Sequence, residues 1–173
     1  HSIPMLSLSN TYTEEEIIDF DRRVMELLKG EKYQYVVELK IDGVAVCLIY
    51  RAGRYVQGAT RGNGITGDDI TQNIKTIKSI PLNILRPING VDEFEVRGEV
   101  FMKKSGFIKL NKRQAERDEK IFANSRNATA GSLKLLDSKI VAERPLSIFT
   151  YYFMAEESKM RLFDSHYGNL HLL

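Results

Sequence analysis

Cysteine is nearly absent from this 173-residue chain: Cys47 stands alone, so no internal disulfide can form, and its apolar surroundings suit a reducing compartment. No apolar run approaches the roughly 20 residues of a membrane span, and the N-terminus lacks the pattern of an export signal. A soluble, cytoplasmic, monomeric protein is expected. Charge of one sign is also scarce, with 25 Lys and Arg against 23 Asp and Glu, a formal +2. That balance neither demands a polyanionic partner nor excludes one, because basic residues can still cluster locally. His1, His166 and His171 sit at the chain ends without ligand spacing, and paired cysteines are missing, which argues against a zinc site. Nothing suggests a Ser/His/Asp arrangement.

What is present reads as one ordinary domain with one sizeable core, 43% hydrophobic and 28% charged. The chain starts at His1 and stops as an apolar pattern builds over 165–173, which suggests a piece excised from a longer polypeptide. Thr13 and Glu16 form a capping-box pattern ahead of a stripe at Ile17, Phe20, Val24, Leu27 and Leu28, which predicts a helix over 13–29. Short β-type runs at 35–40, 44–50 and 55–60 are broken by Asp42-Gly43 and by Arg51-Ala52-Gly53-Arg54, and predict antiparallel hairpins. A second box, Thr66 with Asp69, predicts helix over 68–77. Further on come a strand at 94–102, a helix at 105–117, a polar stretch 124–127 leading into 130–136, and an aromatic strand at 146–153. The fold class is α+β, antiparallel sheets flanked by helices.

The run Glu38-Leu39-Lys40-Ile41-Asp42-Gly43 concentrates the chemistry. As a strand it would place Glu38, Lys40 and Asp42 on one face, and apolar neighbours on both sides predict that this face looks into a cleft or core. Two readings are open: a structural ion pair, or a lysine nucleophile that bonds to a phosphoryl or carbonyl centre. Flanking carboxylates favour the ammonium form while attack needs the free amine, so the second reading requires a compensating metal or cation. Gly62 to Gly67 matches GxGxxG, yet it follows a hairpin and no acid stands about 20 residues on, so it reads as a turn. Arg61 could present its fork to phosphate or carboxylate, and Glu99 could accept from ribose hydroxyls or hold a metal water.

Together, Lys40-Ile41-Asp42-Gly43, Arg61-Gly62 and Arg97-Gly98-Glu99-Val100 resemble the motifs of the covalent nucleotidyltransferases, which include polynucleotide ligases and capping enzymes. Three longer strings, 1–8, 59–64 through 79–82, and above all Phe122-Ala123-Asn124-Ser125-Arg126-Asn127-Ala128-Thr129-Ala130-Gly131-Ser132-Leu133, are similar to the NAD-dependent bacterial DNA ligases. The resemblance implies a nucleotidyltransferase (ligase adenylation domain) fold over 1–173, truncated at both ends relative to a full ligase. It implies a lysine that attacks NAD, releases nicotinamide mononucleotide and passes AMP to the 5′-phosphate of nicked duplex DNA, with Mg2+ as cofactor. On that pattern Lys40 is the nucleophile and Asp42 positions lysine or metal. Glu38 meets the adenine edge, Ser7 and Leu8 line the pocket, Arg61 and Glu99 meet the ribose, and Tyr151 stacks on the base. Arg126 and Lys134 are candidate DNA-phosphate contacts; the family carries arginine at position 134. Two alternatives stand beside this reading: an ATP-dependent ligase or capping relative, and a non-catalytic adenine-nucleotide-binding module.

Overall fold

The hairpin signal at 51–54 sets the centre of the sheet in the computed structural model, which describes residues 1–85, 88, 90–155, 165–171 and 173. Strand β1 (Val44–Arg51) turns through Ala52 and Gly53, both left-handed at φ 47° and 71°, into β2 (Arg54–Thr60). Such a two-residue turn matches the twist of the strands it joins. On the other edge of β1 lies β3 (Glu93–Met102), and outside it β4 (Leu146–Ala155), giving the order β2-β1-β3-β4 with every pair antiparallel.

Alternation along the strands sorts the two faces. Val46, Leu48 and Tyr50 of β1 join Phe94, Val96 and Val100 of β3 and Phe153 of β4 in the buried core, where Tyr50 and Phe94 stack at 4.9 Å. Ile70, Ile74, Ile77 and Ile80, around the short helix α2 (Thr71–Ile74), close over it together with Leu133 of α4 (Ser125–Leu133). Helix α3 (Lys104–Glu116) buries Leu110 in a second cluster with Met102 and Ala128. Two short helices, α5 (Ser138–Ala142) and α6 (His166–Leu170), had no signal in the sequence reading. Among the described residues no helix is long and apolar enough to cross a membrane.

Helix α1 (Glu14–Leu28) forms as predicted, with the reciprocal Thr13–Glu16 capping box in place, but it buries no residue. Most of its apolar stripe stays exposed, Ile17 at 58% and Leu27 at 80%, while Val24 and Leu28 are half-buried, and its ties run to the following arm. The hydroxyls of Tyr33 and Tyr35 donate to Asp21 at 2.7 and 2.8 Å, and the Tyr35 ring meets Phe20 at 5.8 Å.

Three expectations are corrected. The strand at 35–40 and its hairpin through Asp42-Gly43 do not form; β2 and β3 occupy both edges of β1, which leaves no ladder there for a preceding strand to join. The helix at 68–77 shrinks to α2, because backbone of 68–70 pairs with β2 instead: Thr60 donates to Asp68 O and Ile70 to Gly58 O. The Thr66–Asp69 box gives way to Asn63 Oδ1, which accepts from Thr66 N at 2.8 Å. The segment at 124–136 becomes helix already at Ser125, capped by Asn124 Oδ1 accepting from Asn127 N at 2.7 Å, and ends at Leu133.

Candidate active site

The sheet face opposite the core carries Ala45 and Cys47 of β1, Glu95, Arg97 and Glu99 of β3, and Phe149 and Tyr152 of β4 in cross-strand register. A bulge between Arg97 and Gly98 leaves Tyr151 as the extra residue of β4, a device that re-aims side chains near functional surfaces. At the end of β2, Arg61 N donates to Ala45 O at 2.9 Å and fixes the arginine at the rim of this face. The glycine loop that follows is a turn, as predicted: Gly62 sits at φ 55°, and Asn63 Oδ1 gathers the amides of Ile65 and Thr66.

Gly43 explains why the lysine motif ends in glycine. A Cβ at this position would lie 2.0 Å from Val100 O, so only glycine lets the chain pass so close to β3. The same approach brings Gly43 N to 3.1 Å from Glu99 Oε1, which accepts its hydrogen bond. Burial pushes the Glu99 carboxyl above the ordinary glutamate range, opposed by that bond and by the cations Arg126 and Lys40, while Asp42 adds to the rise. Lys40, Asp42, Glu99 and Arg126 therefore share one electrostatic neighbourhood. Arg126 Nη1 reaches Asp42 Oδ1 at 2.8 Å.

An N-terminal strap crosses the other end of the face. Glu95 and Arg97 are buried as an ion pair at 2.7 Å. Arg97 donates onward to the carbonyls of Ile3 and Pro4, and Glu95 accepts from Ser2 Oγ at 2.7 Å. Met5 N donates to Gly64 O at 2.8 Å and its side chain is buried. Past that point Ser7 Oγ comes within 3.4 Å of Arg61 Nη1. Beneath the strap, burial and then the nearby Glu95 push the Cys47 thiol up to about 12.

The structure thus joins Lys40, Asp42 and Glu99 at one end of β3 and Ser7 with Arg61 at the rim. Tyr151 belongs to the same face: burial raises its phenol, and the charges of Glu99, Arg97 and Arg61 all act on it. Lys40 itself is exposed, as are Glu38 and Asp42, which overturns the sheltered face expected from the sequence; without a strand at 35–40 there is no alternation to turn them inward. Glu38 is bound instead to His166 Nε2 at 2.7 Å, and Leu8 is 86% exposed. Lys134 pairs with Asp68 at 2.9 Å. Sequence reading missed the Glu95–Arg97 anchor and the Arg126–Asp42 bridge; the only signal for the first was charges at alternate positions inside an apolar strand, with Ser2 lying 93 positions from Glu95, and in the second Arg126 lies 84 positions from Asp42.

The sequence profile of the NAD-dependent DNA ligase adenylation domain matches residues 1–173 of this chain. The chain belongs to that family. It is 56% identical over 151 residues to the DNA ligase of Brevibacillus brevis, covering 87% of this chain and 22% of that protein. To the DNA ligase of Caldicellulosiruptor saccharolyticus it is 52% identical over 164 residues, 95% of this chain and 24% of the relative. The DNA ligase of Bacillus cytotoxicus is likewise 52% identical over 159 residues, 92% of this chain and 23% of the relative. The chain therefore spans less than a quarter of the length of these curated relatives. Membership in the adenylation-domain family bears out the resemblance read from the motifs, and the antiparallel α+β architecture agrees with it.

Proposed function

We propose that this adenylation domain provides the lysine that carries AMP in an NAD-dependent ligase sealing nicks in duplex DNA. The observation that carries the reading is the Gly43 N–H bond to Glu99, which ties the Lys40 motif to the open sheet face of a chain that matches the family along its whole length. Lys40, as the free amine, attacks the α-phosphorus of NAD; an N–P bond forms, the P–O bond to nicotinamide mononucleotide breaks, and the amine gives up a proton. Exposure of Lys40 leaves it accessible to the donor.

The remaining roles follow residue chemistry. Glu99 accepts from a ribose hydroxyl, Arg61 holds donor oxygens, and Tyr151 offers its face to the purine. Glu38 meets the adenine edge after exchanging its His166 partner, Ser7 and Leu8 line the pocket, and Asp42 positions the lysine. Arg126 and Lys134 exchange Asp42 and Asp68 for DNA phosphates, a sequence-independent contact. Among the described residues no group of three His, Cys, Asp or Glu side chains could hold a metal. The neighbouring carboxylates of Asp42 and Glu99 fit an ion carried mainly by phosphate and water, as magnesium is. When bound, magnesium supplies positive charge that favours the free amine and offsets charge developing at phosphorus. Nick sealing is assigned to a protein of the relatives' full length rather than to these residues alone.

Mass spectrometry of the protein after incubation with NAD and Mg2+ tests the proposal. In a protein of the relatives' full length, one AMP added to the wild type and none to Lys40→Ala is the expected result, whereas the 173 residues by themselves are expected to be impaired. Equal labelling of both proteins would overturn the nucleophile assignment. Reversible AMP binding that disappears in Tyr151→Ala, with no covalent product in any form of the protein, would make it a nucleotide-binding module instead. The family match supports NAD over ATP as donor, and a parallel incubation with ATP checks that choice.

A further inference from the structure

Away from the open sheet face, a cleft of about 650 Å³ runs along α3 against the α5–β4 connection. Its upper end is fixed by close packing, because a Cβ on Gly106 would meet Pro145 Cγ at 2.6 Å. Lys103, Lys109, Lys112 and Arg113 line it, and Lys109, Lys112 and Arg113 follow the three- and four-residue spacing that puts side chains on one helix face. Glu116 and Glu143 are the acids of the lining, so its balance is cationic.

These cations are poorly neutralised within the fold. Among the described residues Lys103, Lys109 and Arg113 make no salt bridge, and the Lys112–Glu116 pair is loose at 4.0 Å with both side chains mostly exposed. A second, smaller cavity shares Arg113 and Glu143 with this cleft and adds Arg117 and Arg144 beside the acid Glu119. Burial, followed by repulsion from Arg113, pulls the Arg144 guanidinium below its ordinary range, against the attraction of Glu119 and Glu143. Like charges held together by the fold repel one another in the free protein, and an anion entering the cleft relieves that repulsion.

We propose that the α3–α5 cleft is a docking site for the phosphodiester backbone of duplex DNA, separate from the adenylation site and from Arg126 and Lys134. A row of charges suits a strand of phosphates better than a single ion. Residues 103 to 113 span about 15 Å of helix at 1.5 Å per residue, against one phosphate for roughly 3.4 Å of duplex axis per strand. The choice of nucleic acid rests on the proposed function, whereas the charge of the cleft does not.

Fluorescence anisotropy with a labelled nicked duplex, titrated with salt between about 50 and 200 mM, reads the contact directly. The combined Lys109→Ala, Lys112→Ala, Arg113→Ala protein is expected to lower the slope of log affinity against log salt by about 3, about one unit per lost phosphate contact. AMP transfer from NAD to Lys40 should be unchanged in it, and Lys109→Arg with Lys112→Arg should keep the wild-type slope. A triple variant with the wild-type slope, or a cleft that takes up polyglutamate in preference to duplex, would overturn the proposal. Loss of slope in a protein that never accepts AMP would leave the cleft assignment standing and remove the adenylation reading.

Discussion

Residues 44–60 and residues 31–42 carry adjacent parts of the same string of motifs, yet they are held in opposite ways. The first segment is the centre of a sheet, with Val46, Leu48, Tyr50 and Tyr55 buried and both edges of β1 paired. The second is an arm without helix or strand, and in it Glu38, Leu39, Lys40 and Asp42 face water. The proposed binding groups Arg61, Glu99 and Tyr151 therefore sit on or beside rigid strands. Lys40, the proposed nucleophile, hangs from a junction secured by the Gly43 hydrogen bond and the Asp42–Arg126 bridge. Sites on strands hold geometry more tightly than sites on loops, so donor binding and nucleophile placement should respond to different mutations.

The sharpest way to break this contrast is Gly43→Val. With Val100 O where the new Cβ must go, β1 and β3 cannot keep their spacing, and urea denaturation should show a loss of about 4 kcal/mol or more. Next in size, Leu48→Ala removes a fully buried side chain and is expected to cost about 2–5 kcal/mol. Leu39→Ala in the arm should stay within about 0.5 kcal/mol in the same measurement. Comparable losses from the two leucines would erase the distinction between sheet and arm.

Glu99 sharpens the comparison through pH. Its carboxyl is raised in the fold, so the protonated form is favoured there. Its contribution to stability is fully present below the unfolded glutamate value and is lost as pH climbs through the raised one. Glu99→Gln should flatten stability against pH across that interval and gain relative to wild type above it, as followed by thermal melts in a buffer series. The smallest effect is expected for Arg126→Ala: its bridge to Asp42 is half-exposed or more on both sides, and its removal should cost about 1 kcal/mol or less. The same variant should still slow AMP transfer, because it frees the arm beside Lys40.

What could be read from the sequence was local. The Thr13–Glu16 box and the Ala52-Gly53 turn depend on residues within a few positions, and both formed as expected. The strand at 35–40 failed because pairing depends on which sheet edges remain free, and β3, some 50 positions away, fills the one it needed. Helix at 68–77 failed for a similar reason, since the amide of Ile70 is committed to Gly58. For the site, Arg61 and Glu99 were legible as charges at strand positions, and the lysine motif as an unusual alternation. The exposure of Lys40 and the anchoring of the strap were not, because each is decided by contacts between distant segments.

Arg97 recognises the strap by peptide oxygens, those of Ile3 and Pro4, rather than by side chains. Every amino acid supplies that acceptor. Positions 3 and 4 are thereby released from chemical identity and left free to drift, while position 97 must keep a guanidinium whose nitrogens can serve Glu95 and both carbonyls at once. Saturation libraries at these three sites would come out lopsided, permissive at the gripped residues and intolerant at the grip.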